Sequence, residues 1–112
     1  MSVSTEYRQY VLEQLGRVVP VTSRSMFGGV GIYGSGLFFA LMDDDTLYLK
    51  ADDQTVPDFE AIGSTPFRPM PDAPPMKYYE LPADILEDVD TLRGWVENSV
   101  AVAARARTKR RK

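Results

Sequence analysis

Four stretches of this 112-residue chain have residue types and spacing that could do chemistry. Gly29-x-Gly31-x-x-Gly34 matches a dinucleotide-binding pattern. That pattern works where a strand turns into a helix whose N-terminus holds the pyrophosphate. Here a strand pattern, Leu37 to Met42, follows instead, so a Gly-rich hairpin with closely passing backbones is the better reading. The phosphate loop that ends in Gly-Lys-Ser/Thr is absent. Asp43-Asp44-Asp45 has the oxygens for a hard cation. It lacks the glycine and distal glutamate of a calcium loop, and aspartates also bond their own backbone in turns, so a solvated turn is expected. No pair of carboxylates is marked out for glycoside chemistry. Phe38-Phe39 and Tyr78-Tyr79 each put one ring on either face of a strand. One ring of each pair belongs to a core. The other could stack on a base or lie under a helix or second subunit, and packing is favoured.

The residues that are missing narrow the chemistry further. The chain has no histidine and no cysteine. It therefore has no thiol nucleophile, no disulfide frame, no thiolate metal site and no side chain that titrates near neutral pH unless strongly perturbed. Ser-His-Asp and Cys-His catalysis are excluded. No catalytic, cofactor or metal site is assigned, and the expectation is a protein that is not an enzyme.

Charge is unevenly spread. Residues 1–104 carry 7 basic and 16 acidic side chains, a balance of −9. Arg105, Arg107, Lys109, Arg110, Arg111 and Lys112 follow without an acid, a balance of +6. The acidic body should repel phosphate and the basic end attract it. These six residues are the candidate nucleic-acid contact, against the plainer reading of a solvated, frayed tail.

The elements that must position these residues follow from periodicity. Tyr7, Val11 and Leu15 recur every four residues, predicting a first helix from Ser4 to Leu15 with Ser4 as N-cap and Gly16 as its left-handed stop. Val19 to Met26 is read as extended. Val30–Tyr33, Leu37–Met42 and Leu47–Lys50 are read as strands, joined by tight turns at Gly34-Ser35-Gly36 and Asp43-Asp44-Asp45. Asp52 to Gly63 is a short helix, Pro66 to Pro75 an irregular edge or loop, Met76 to Leu81 a strand, and Pro82 to Glu87 one helical turn. A last helix capped by Asp88 or Asp90 carries the stripe Leu92, Trp95, Val96, Ser99, Val102, Ala103 and Ala106, then dissolves into the tail. Hairpin connections are too short for parallel crossovers. The expected fold is α+β, a two-layer antiparallel sheet with helices packed mainly on one face, as a domain over 1–104 with a basic tail over 105–112. The other sheet face is then available to a partner.

Five blocks of this string resemble the TfoX/Sxy N-terminal domain family. They are Arg24-Ser25-Met26-Phe27-Gly28-Gly29-Val30-Gly31-Ile32-Tyr33; Gly36-Leu37-Phe38-Phe39-Ala40-Leu41 with Leu47-Tyr48-Leu49-Lys50-Ala51-Asp52; Phe59-Glu60-Ala61-Ile62-Gly63 with Pro66-Phe67; Tyr78-Tyr79-Glu80-Leu81-Pro82; and Leu92-Arg93-Gly94-Trp95-Val96. They run in register from about Tyr7 to Ala104. The resemblance implies a fold similar to secretion chaperones and a stand-alone N-domain member. Full-length members regulate natural competence together with the cyclic-AMP receptor protein and carry a second, helical domain.

The resulting expectation is a non-enzymatic regulatory binding module acting through protein contacts, in transcriptional or competence-type regulation. The alternatives are a nucleic-acid accessory protein using the basic tail, and a carboxylate- or metal-dependent enzyme. Arg24, Tyr33, Lys50 and Tyr78 are the candidate binding surface. Met26 and Phe27 are expected under the last helix, and Gly28, Gly29 and Gly31 at a bulge or close strand approach. A protein partner, a homodimer, no cofactor, no membrane segment and a cytoplasmic location complete the expectations.

Overall fold

Turn chemistry lays out the sheet. A computed structural model describes residues 3–26 and 28–110. In chain order the elements are α1 (Thr5–Gly16), β1 (Val21–Met26), β2 (Gly29–Gly34), β3 (Leu37–Asp43), β4 (Thr46–Lys50), α2 (Val56–Ala61), β5 (Pro66–Phe67), β6 (Met76–Glu80), α3 (Ala83–Glu87) and α4 (Val89–Arg110). Between the paired residues Gly34 and Leu37, both Ser35 and Gly36 have positive φ, the geometry of a two-residue hairpin turn. Asp44 and Asp45 do the same between Asp43 and Thr46. Aspartate tolerates this conformation better than most residues. Each turn folds one strand back antiparallel on the last. After α2 the chain returns outside β4, so the six strands run in the order β1-β2-β3-β4-β6-β5, every pair antiparallel.

All four helices lie over one face. Val30, Ile32, Ala40, Met42, Leu47 and Leu49 point into the core there. They meet Val11 and Leu15 of α1, Phe59 of α2, Leu86 of α3, and Leu92, Val96 and Ala103 of α4. Val102 and Ser99 are also buried on α4, as the predicted stripe requires. The architecture is the α+β class expected, with the helices on a single face.

Several local expectations shift. Gly16 is the last residue of α1, and Arg17 follows with φ −76°, so no left-handed glycine stops the helix. β1 begins at Val21, because amides of Val18 and Val19 are still turned back onto the Leu15 carbonyl. α2 begins at Val56, after a turn in which the Asp52 carboxylate accepts from the Gln54 and Thr55 amides while the Thr55 hydroxyl accepts from the Asp52 amide. Gly63, at φ +77°, ends that segment as predicted. Asp88 begins α4: its carboxylate accepts from the Asp90 amide and the Thr91 hydroxyl.

The largest difference lies at the C-terminal end. The last helix does not dissolve into the tail after its stripe ends at Ala106 but continues to Arg110. Alanines 101, 103, 104 and 106 favour helix, and cations near its C-terminus complement the helix dipole.

Candidate functional site

The sheet face away from the helices is built by strand alternation. On β1, Arg8 of α1 donates to the hydroxyls of Ser23 and Ser25, so Thr22 and Arg24 project from the opposite side. On β4, Leu47 and Leu49 are fully buried beneath the helices, which turns Tyr48 and Lys50 outward. On β6, Tyr79 stacks on Phe59 at 5.4 Å, which turns Tyr78 and Glu80 outward. On β3 the register shifts opposite Ile32 and Tyr33. This bulge lets Phe39 stay buried while Phe38 and Leu41 both face outward, and Phe38 pairs with Tyr33.

Two rows of side chains cross this face. In one, Tyr33 stacks on Phe38 with ring centroids 5.2 Å apart, and Phe38 meets Tyr78 at 5.7 Å. The Lys50 Nζ donates to the Tyr78 hydroxyl at 3.3 Å and lies 4.9 Å from its ring centroid. Such aromatic pairs contribute about 0.5–1.5 kcal/mol each beyond area burial. In the other row, Arg24, Gly31, Leu41, Tyr48 and Glu80 stand opposite one another across five strands. Tyr48 also meets the Phe67 ring at 4.9 Å.

Gly31 joins the rows. A Cβ there would lie 2.5 Å from Met26 Cε and 3.1 Å from Phe38 Cε1. Met26 therefore crosses the bare glycine toward Phe38 on the helix-free face, rather than packing under α4 as its sequence context suggested. Phe27 lies outside the described residues. At Gly29 a Cβ would come within 2.5 Å of the Met42 carbonyl oxygen, so the strands pass closely there. The bulge itself falls beyond the glycine cluster, at Ile32/Tyr33.

Of the four residues singled out from sequence, Tyr33, Lys50 and Tyr78 are brought together around Phe38, and Arg24 stands exposed at one end of the adjoining row. Phe38 at the centre, with Leu41, Tyr48 and Glu80, is not singled out by the sequence. Doublet alternation marked one ring of Phe38-Phe39 as outward-facing, but the bulge decides which.

The basic end divides. Arg105 donates twice to the Asp52 carboxylate, with Nη2 at 2.7 Å and Nε at 3.1 Å. It borders a cleft of about 650 Å³ with Asp52 and Lys77, and Lys77 is itself paired with Asp53 at 2.6 Å. Arg107 lines an adjoining cleft of about 530 Å³ with Gly36, Leu37, Phe38, Lys50, Ala103 and Ala106, and Lys50 and Ala106 border both clefts. The two residue sets that seemed separate in sequence thus meet at Lys50 and Arg107. The side chains of Lys109 and Arg110, and Arg111 and Lys112 altogether, lie outside the described residues.

Five groups among the described residues, four of them on this face or in the clefts beside it, have clearly displaced pKa values. Burial, then the neighbouring Tyr33, pushes the Tyr78 phenol up. Burial, then the Glu80 and Asp43 carboxylates, does the same to Tyr48. Partial burial raises Asp52, but the bonds from Arg105, Gln54 and Thr55 outweigh it and hold the carboxyl below its usual range. The bond and charge of Asp53 raise Lys77. Each of these shifts moves its group further from neutrality. Among the described residues, no three acidic side chains are grouped to hold a metal ion. No helix among them is long and apolar enough to cross a membrane.

Comparison with protein families matches residues 13–103 to the TfoX N-terminal domain. The span contains the whole helix-free face and stops before Arg105. A search among curated proteins returns no match.

Proposed function

The chain belongs to the TfoX N-terminal domain family, and on that premise we propose that it is a non-enzymatic regulatory module acting through protein contacts on the helix-free face of its sheet. The carrying observation is the face itself. Met26, Tyr33, Phe38, Leu41, Tyr48 and Phe67 lie half-buried there without a covering helix, bounded by the exposed Arg24 and Glu80. Tyrosine, phenylalanine, methionine and arginine are the residues enriched where proteins meet. A two-layer domain with one face bare offers that surface without rearrangement. The tyrosines keep their protons well above neutral pH, which suits hydrogen bonding and packing better than proton transfer. The regulation is of the transcriptional or competence type that the family implies.

The test is a photo-cross-linking residue placed at Tyr33 in the native cell, with one at Glu97 on the exposed side of α4 as control. A discrete protein adduct at Tyr33 that Glu97 does not give is expected. The same adducts from both positions, or none from either, overturns the reading.

A further inference from the structure

We propose that the occupant of this face is a second copy of the chain, docked sheet to sheet about a two-fold axis that runs along β3. The proposal rests on the reading of the helix-free face as a protein-contact surface, and names the partner.

The register of one row gives the face a two-fold pattern. Arg24 lies opposite Gly31, Gly31 opposite Leu41, Leu41 opposite Tyr48, and Tyr48 opposite Glu80. Directly opposed residues share a sheet face. Leu41 is therefore the midpoint, with Arg24 two strands to one side and Glu80 two strands to the other. At the usual strand spacing each charge stands about 10 Å from Leu41. A two-fold axis parallel to β3, lying between two such faces, exchanges these sides. It sets Arg24 of each copy opposite Glu80 of the other, twice per dimer. Leu41 falls on the axis and meets its own copy.

The neighbouring row obeys the same symmetry. Phe38 lies on β3, Tyr33 one strand to one side and Lys50 one strand to the other. The axis that joins Arg24 to Glu80 also sets the Tyr33 ring opposite Lys50 of the second copy, a cation against a ring face. In the first row it sets Tyr48 against the low ground at Gly31, floored by Met26. The face thus has an apolar centre on the axis and complementary groups at equal distances from it. The charges also select this axis. A two-fold perpendicular to the strands would stack β1 on β1 and bring Arg24 against Arg24 and Glu80 against Glu80, which like charges oppose.

The experiment uses the full chain and sedimentation equilibrium at low ionic strength. The wild type is expected at twice the 12.6 kDa chain mass. Arg24→Glu and Glu80→Arg should each raise the dimer dissociation constant by roughly tenfold or more, because symmetry repeats every contact. Mixing the two single variants should restore dimers, as every cross-contact then joins opposite charges. The Arg24→Glu/Glu80→Arg double variant should also dimerise. Both positions are exposed, and a matching thermal melt confirms that each variant folds. A wild type that stays monomeric at millimolar concentration overturns the dimer. In that case a Tyr33 adduct with another protein would leave the protein-contact reading standing, and its absence would end both. Dimers indifferent to both single charge reversals overturn the proposal by placing the interface elsewhere.

Discussion

The Arg105 guanidinium holds the Asp52 carboxylate through two hydrogen bonds, across 53 residues of sequence. The contact ties the final turns of α4 to the turn that starts α2. Asp52 has a second task, because its other oxygen accepts from the Gln54 and Thr55 amides. The two partners are therefore unequal. Asp52→Ala should destabilise the fold by about 1–2 kcal/mol, the sum of the lost turn bonds to the Gln54 and Thr55 amides and a solvent-screened ion pair. Arg105→Ala should cost less than about 1 kcal/mol, since only the pair is lost. Urea unfolding of the two variants beside the wild type checks the order. Because the folded carboxyl lies below its ordinary value, its contribution is present above the unfolded pKa. It disappears as pH falls through the folded value, and Asp52→Ala should narrow its gap from wild type over that same window.

Tyr7 makes the alkaline counterpart. Burial, then the Asp45 carboxylate, pushes its phenol up from 10.0 to about 12. The folded state thus holds the proton more tightly than the unfolded chain. This stabilisation is complete below pH 10 and is lost as pH climbs from 10 toward about 12. Thermal unfolding of the wild type should fall more steeply over that window than that of Tyr7→Phe, which has no proton to lose. Equal slopes for the two would remove Tyr7 from the alkaline transition.

Some of this was legible in residue order and some was not, for physical reasons. The aromatic doublets revealed that each had an inward and an outward ring, because alternation is local. The stripe on α4 likewise follows from a 3.6-residue period, and Asp44-Asp45 from turn chemistry. The β3 bulge has no such local signature, yet it decides that Phe38 rather than Phe39 faces outward. Nothing in the sequence shows that a neighbouring strand offers Met26 the bare backbone of Gly31, so its place on the helix-free face is not legible there. The pairing of Tyr48 with Glu80 depends on the chain returning outside β4 after α2 and β5, a long-range choice. Arg105 looked like part of a tail because its partner lies across the fold at Asp52.

Two glycines should respond oppositely to the same substitution. At Gly29 an added Cβ would lie 2.5 Å from the backbone oxygen of Met42, an atom of a paired strand that cannot rotate away. Gly29→Ala should therefore cost about 1–3 kcal/mol or more through forced strand separation. Gly94 sits within α4, and a Cβ there meets nothing within 4 Å. Gly94→Ala should stabilise by about 0.5–1 kcal/mol, because alanine loses less backbone freedom in a helix. Denaturant midpoints of the two variants, taken with unchanged slopes, decide both signs.

The basic end of α4 sets the last expectation. Cutting the chain after Ala104 would remove more than charge, because it would also break the Arg105–Asp52 pair and strip turns from the helix. Neutralising Arg107, Lys109, Arg110, Arg111 and Lys112 to glutamine isolates the charge and leaves Arg105 in place. The body's balance of −9 opposes phosphate. Binding of labelled DNA or RNA should therefore be weak at low salt, steeply salt-dependent, and gone near physiological ionic strength. The glutamine variant should flatten that dependence, since each lost phosphate contact lowers the slope by about one. Fluorescence anisotropy across a salt series reads both quantities. Micromolar binding that persists at physiological salt and vanishes in the glutamine variant would instead make the helix end a nucleic-acid contact in its own right. The sheet face would then serve to pair or recruit proteins beside it.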